Sequence, residues 1–238
     1  MNVNIIPSAR EMASLLASLS NLLCQNQLIS PDSKNCLDRA STQLIKLSSS
    51  RTWEYAIKPS APIKFVPTSD KKLGKIIPHV YLDVAVEPPK RNDLPLFKRL
   101  DTKIEIFDLA GHLQSRWHID LANRKEDGTY QDGPIFHLQS GGHKPLANRK
   151  EELKISRPRW AMPPMELILT CEMILANFYP AQWKTIRTEK RWLKLIQAAQ
   201  SMCYLTYYQQ IHECLFKSQP LIPRQQSESI LTALWAKK

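Results

Sequence analysis

The chain predicts a mixed α+β fold: an N-terminal helical hairpin, a central antiparallel β-sheet built as a meander, and a C-terminal helical bundle packed on it. Three observations carry this. Apolar residues recur at helical spacing, behind recognisable caps, before residue 50 and again after residue 160. Between 52 and 121 the pattern changes to strict alternation, with turn residues between the runs. The 238 residues are 43% hydrophobic, enough for one well-buried core, so one domain is expected over 1–238: 1–50 helical, 51–160 mainly β with basic loops, 161–238 helical.

Residues 8–24 read as an amphipathic helix with Ser8 as N-cap and Glu11 at capping-box spacing. Residues 31–48 read as a second helix, with Ser30 before it and Pro31 in its first turn. Residues 52–57 are a strand. The proline- and lysine-rich stretch 58–78 is expected to be an extended or mobile loop. In 79–87, Val80, Leu82, Val84 and Val86 make one face of a strand. Strands are expected at 102–108 and 112–121, joined by a hairpin turn at Leu109, Ala110 and Gly111. Residues 165–178 are apolar nearly all round and predict a buried helix, stopped by Pro180. One helix is expected from 181 to 200, a buried one over 201–217, and a last amphipathic one over 224–236.

Residues 112–126 (HLQSRWHIDLANRKE) recur at 137–151 (HLQSGGHKPLANRKE), with eleven of fifteen positions identical, a tandem duplication. It holds four of the six histidines: His112, His118, His137 and His143. In the first copy, alternation puts His112, Gln114, Arg116, His118 and Asp120 on one face of a strand. In the second, Gly141 and Gly142 replace Arg116 and Trp117, and Pro145 replaces Asp120, so that strand is expected to break into a turn over 141–145.

Composition excludes several classes. Six glycines stand against seventeen prolines, and neither a dinucleotide-binding nor a P-loop glycine motif occurs. Five cysteines without a C-x-x-C spacing predict reduced thiols in a cytoplasmic protein. No apolar stretch reaches eighteen residues and no secretory leader is recognised, so no membrane association is expected.

The net charge of +11 favours a polyanionic partner. Residues 51–100 hold ten Lys and Arg against five Asp and Glu, whereas 101–150 hold seven of each. The leading expectation is a cytoplasmic, prokaryotic-type accessory protein that binds nucleic acid, RNA or DNA, or sits in a nucleic-acid complex. Its phosphate contacts would come from Lys71, Lys72 and Lys75, from the loop 88–99, and from a basic helix stripe of Lys184, Arg187, Lys190, Arg191 and Lys194. Tryptophan beside a basic residue, as at Arg159-Trp160, suits base stacking, but most of the tryptophans are expected in the core.

The alternative is a His-dependent phosphodiesterase or nuclease. His112, His118 and His137 would transfer protons, with Arg116 and Asp120 beside them and Lys103 or Lys144 on the phosphate. The H-L-Q-S segments depart from the paired motifs of the 2H phosphoesterases. Those motifs have a hydroxyl residue two positions after each His, where this chain has Gln114 and Gln139, so no family is assigned. Asp83 and Glu105 on neighbouring strands are the alternative acids for a magnesium-dependent nuclease, but Phe107 stands where that pattern wants Lys. A metal on His118 with His137 or His143, assisted by Asp120 or Asp83, matches no zinc spacing, so neither metal nor cofactor is assigned. A third expectation is a protein-interaction module whose C-terminal helices dock a larger partner.

Overall fold

The computed structural model describes residues 6–47, 49–88, 96–123, 126, 134–141 and 159–217. It has an N-terminal helical pair, a central antiparallel sheet of eight strands, and C-terminal helices. The first pair is α1 (Ala9–Gln25) and α2 (Pro31–Ile45). The predicted capping box closes α1: the Glu11 amide donates to Ser8 Oγ, and the Ser8 amide donates to Glu11 Oε2 at 2.7 Å. Ser30 caps α2, which ends about a turn earlier than its polar tail suggested.

The strands are β1 (Trp53–Ile57), β2 (Ile63–Lys64), β3 (Thr68–Asp70), β4 (Gly74–Val86), β5 (Phe97–Asp108), β6 (Leu113–Leu121), β7 (Phe136–Ser140) and β8 (Trp160–Ala161). β4 to β8 form the expected meander, and β1, β2 and β3 all pair with β4. About half of the predicted loop 58–78 is therefore sheet. Its prolines do not prevent this, because Pro62 and Pro67 directly precede the short strands β2 and β3, where a missing N–H costs little. Pro78 sits inside β4, where its carbonyl still accepts from the Phe65 amide at 2.9 Å. The turn at 109–111 forms as expected, with Gly111 at φ +83°. The second repeat copy also breaks where expected: β7 ends at Ser140 and Gly141 takes φ +82°. Positions 142–150, His143 among them, lie outside the described residues.

The C-terminal part is α3 (Leu167–Phe178), α4 (Pro180–Ile186), α5 (Lys190–Gln200), a π-helical turn (Ser201–Leu205) and α6 (Thr206–Lys217). The single helix expected over 181–200 is thus two, with a turn at 187–189. The last expected helix, 224–236, lies outside the described residues. One core joins the buried residues of α1, α3 and α5 to Val80, Leu82, Val84, Ile104, Ile119 and Phe136 of the sheet. Glu172 of α3 accepts hydrogen bonds from the indoles of Trp183 on α4 (2.8 Å) and Trp192 on α5 (2.7 Å). Among the described residues no helix is long and apolar enough to cross a membrane.

Glu166 caps α3 through Oε1, which accepts from the amides of Ile168 and Leu169, while Oε2 has no partner. Burial outweighs those amide bonds and pushes its carboxyl up to about 7. A folded value above the ordinary 4.5 means the native state holds this proton more tightly than the unfolded chain does. The resulting stabilisation is full below pH 4.5 and is lost as pH rises through about 7. Urea unfolding at pH 5 and pH 8 should show Glu166→Gln removing about 3 kcal/mol of that fall. Equal pH dependence in the two proteins would refute the assignment.

Candidate functional site

The opposite face of the sheet is built from the alternate residues of β4 to β8. Strand register sets them in rows across the sheet. Asp83, Asp101, Asp120 and His137 are opposed in series, each to the next. The next row is Tyr81, Lys103, His118 and Gln139, and the third is His79, Glu105 and Arg116. The first row, with Lys103, His118 and Gln139 of the second, lines a cavity of about 540 Å³, walled also by Lys98, Arg99, Asn123 and Arg159. That volume lies in the range of small-ligand sites.

Asp101, His118 and Asp120 meet at its floor, with one potential ligand atom of each within 4.8 Å of the others. His118 Nδ1 lies 3.7 Å from Asp120 Oδ2. Lys103 is ion-paired with Asp101 Oδ2. Asp101 Oδ1, Asp120 Oδ1 and His118 Nε2 are buried without a hydrogen-bond partner. Burial, then the neighbouring Lys103, lowers the His118 imidazole to about 4, so it is neutral at pH 7. Burial, then the facing carboxylate of Asp101, raises Asp120 above the usual carboxylate range. The acid is thus held protonated and the base unprotonated, the inverse of their order in water. Such opposed shifts in a cleft mark a functional-site candidate.

Of the residues expected to be catalytic, His118, Asp120 and His137 are together, and His137 is only 4% exposed. Arg116 is next to them in register, but its guanidinium is committed to Glu105 in a largely buried pair. Glu105 also accepts from Tyr81, and burial with that bond raises the Tyr81 hydroxyl. His112 does not belong to the site. Ile106 is opposite Ser115 but Phe107 is opposite Leu113, so Gln114 is an extra, bulged residue in β6. The bulge inverts the alternation and carries His112 out of the row. Its side chain is 75% exposed, and its ring is 3.2 Å from Asp108.

The Asp83 and Glu105 pair does not converge. Asp83 is bonded to Arg99 Nε at 2.8 Å, and the two acids lie two rows apart. Asp101 is the member sequence reasoning missed. Its signal was present, an acid one position before the predicted strand 102–108, but β5 begins five residues earlier than the alternation suggested.

Lys71, Lys72, Lys75, Lys184, Arg187, Lys190, Arg191 and Lys194 are exposed but scattered, and positions 89–95 of the expected basic loop 88–99 lie outside the described residues. Lys71 and Lys72 occupy the turn between β3 and β4, and Lys75 is eight residues from Asp83 along β4, roughly 26 Å at strand rise. Lys184 lies on α4, Lys190, Arg191 and Lys194 on α5, and Arg187 in the turn between them, over the Trp183 ring at 4.2 Å. These helices pack on the apolar face, so the stripe and the cavity address opposite sides of the sheet. Trp53 and Trp192 are core, as expected, but Trp160 is 65% exposed; it is opposite Leu138 in register, on the face of the sheet away from the cavity that Arg159 lines. No family model, no curated protein and no solved structure matches the chain.

Proposed function

We propose that the cavity binds and hydrolyses a phosphodiester of a nucleic acid, with Asp101, His118 and Asp120 as the reacting centre. Lys103 and Arg159, which line the cavity, would hold the phosphate. The observation that carries this reading is the convergence of two carboxylates and a neutral imidazole on the floor of a cation-walled cavity. Phosphodiester cleavage needs groups that accept and return protons and cations that neutralise the phosphate. His137, opposite Asp120, is the second imidazole of that floor, in place of His112.

The test is an assay of the full chain on labelled RNA, single-stranded DNA and duplex DNA, each with divalent cation and with chelator. Cleavage of at least one substrate by the wild type is expected. Failure on every substrate in every condition overturns the reading.

A second reading, nucleic-acid binding without turnover, is favoured by the exposure of the basic residues on α4, α5 and the turn between them. Changing Lys184, Arg187 and Arg191 together to Ala is then expected to flatten the slope of log affinity against log salt by about 2–3. A titration with unchanged slope moves the interface elsewhere, first to Lys71, Lys72 and Lys75.

A further inference from the structure

We propose that Asp101, His118 and Asp120 form a binding site for one divalent first-row transition cation, of the Mn²⁺ or Zn²⁺ kind. This gives the hydrolytic centre a Lewis acid, and rests on that reading for the ion's role but not for its binding.

Three observations converge. The residues lie on the paired strands β5 and β6, Asp101 directly opposite Asp120, with His118 two residues along the same face. A sheet holds such neighbours rigidly. Each residue holds a buried side-chain atom that lacks a hydrogen-bond partner: Asp101 Oδ1, Asp120 Oδ1 and His118 Nε2. Buried polar atoms without a partner are a cost to the fold, which a cation bound there in place of the Asp120 proton removes. Ligand atoms of the three already lie within 4.8 Å of one another. Ligands bound at about 2.1 Å in tetrahedral array stand about 3.4 Å apart, so rotation of the side chains by about an ångström closes the site over a fixed backbone.

The donor set selects the ion. Carboxylates alone favour magnesium or calcium, whereas an imidazole with two carboxylates suits manganese or zinc. Lys103 is the resident counter-ion. It occupies Asp101 Oδ2 and leaves Oδ1 for the metal. Gln139, buried and opposite His118, and His137, opposite Asp120, flank the ligands on β7.

Equilibrium dialysis of the full chain against Mn²⁺ and against Zn²⁺, read by elemental analysis, tests the site. One ion per chain is expected for at least one of the two metals. Asp101→Asn, Asp120→Asn and His118→Ala should each weaken binding by roughly tenfold to a hundredfold or more. His112→Ala should leave it unchanged. Lys103→Met removes a competing cation, so it should tighten binding several-fold, a gain that no loss of fold could produce. Absence of stoichiometric binding to either metal, or equal binding by the two Asn variants and the wild type, overturns the proposal. An ion bound without hydrolysis of any nucleic acid supports the site and removes the hydrolytic reading. Hydrolysis undiminished by chelator, with no ion bound, does the reverse.

Discussion

His118→Ala is expected to reduce nucleic-acid cleavage by about 10²–10⁴-fold, the range for removing a positioned proton-transfer group. The loss should fall mainly on kcat, because the cations that hold the phosphate remain. The substitution removes a side chain only 14% exposed from the open face of the sheet, leaving the apolar face and the strand pairing intact. Far-UV circular dichroism should therefore be unchanged. His112→Ala is the matched comparison from the same repeat copy: its ring is solvent-exposed on the wrong side of the bulge, and cleavage should match the wild type. Robust cleavage by the His118→Ala protein would remove that residue from the chemistry.

The largest effect on stability is expected at Trp192. The side chain is fully buried, and its indole donates to Glu172. Trp192→Ala should cost about 3–5 kcal/mol, seen as a lower urea midpoint. Glu172→Ala should cost less, about 1–3 kcal/mol, by leaving two indole N–H donors without their acceptor. The double variant should lose less than the two losses added, since the residues share one network. An additive result would show that Glu172 contributes nothing to the seating of Trp192. The same contact fixes α5 on α3, so the basic stripe keeps its place only while this pair is intact.

What the sequence revealed was local. Ser8 and Glu11 announce α1, the alternation of Val80, Leu82, Val84 and Val86 announces the core face of β4, and Gly111 announces the hairpin. Each signal lies within a few residues of the structure it specifies. The pairing of distant residues was less legible. Lys98 and Arg99 at the start of β5 read as loop because their partners lie elsewhere in the chain, Asp83 and Glu54 on other strands and Glu87 just past the end of β4. That reading cut the strand short and left Asp101 outside the candidate site. The bulge at Gln114 carries no glycine or proline to mark it, so unbroken alternation placed His112 with His118. Arg116 looked free for a ligand because Glu105 is eleven residues away in sequence, although directly opposite it in the sheet.

The pairing of β6 with β7 ties the two repeat copies together. Arg116 and Gly141 occupy equivalent positions in the two repeat copies, and the Gly141 amide donates to the Arg116 carbonyl at 2.8 Å. The duplicated strands thus meet antiparallel about their own common position, as the halves of a twofold dimer would. The cluster at His118, Asp120, His137 and Gln139 takes the end of the first copy and the start of the second. The reciprocal halves do not repeat its residues: Pro145 stands at the position equivalent to Asp120, and Gly141 and Gly142 at those of Arg116 and Trp117. Rewriting the second copy to match the first would force an arginine into the positive φ that Gly141 occupies.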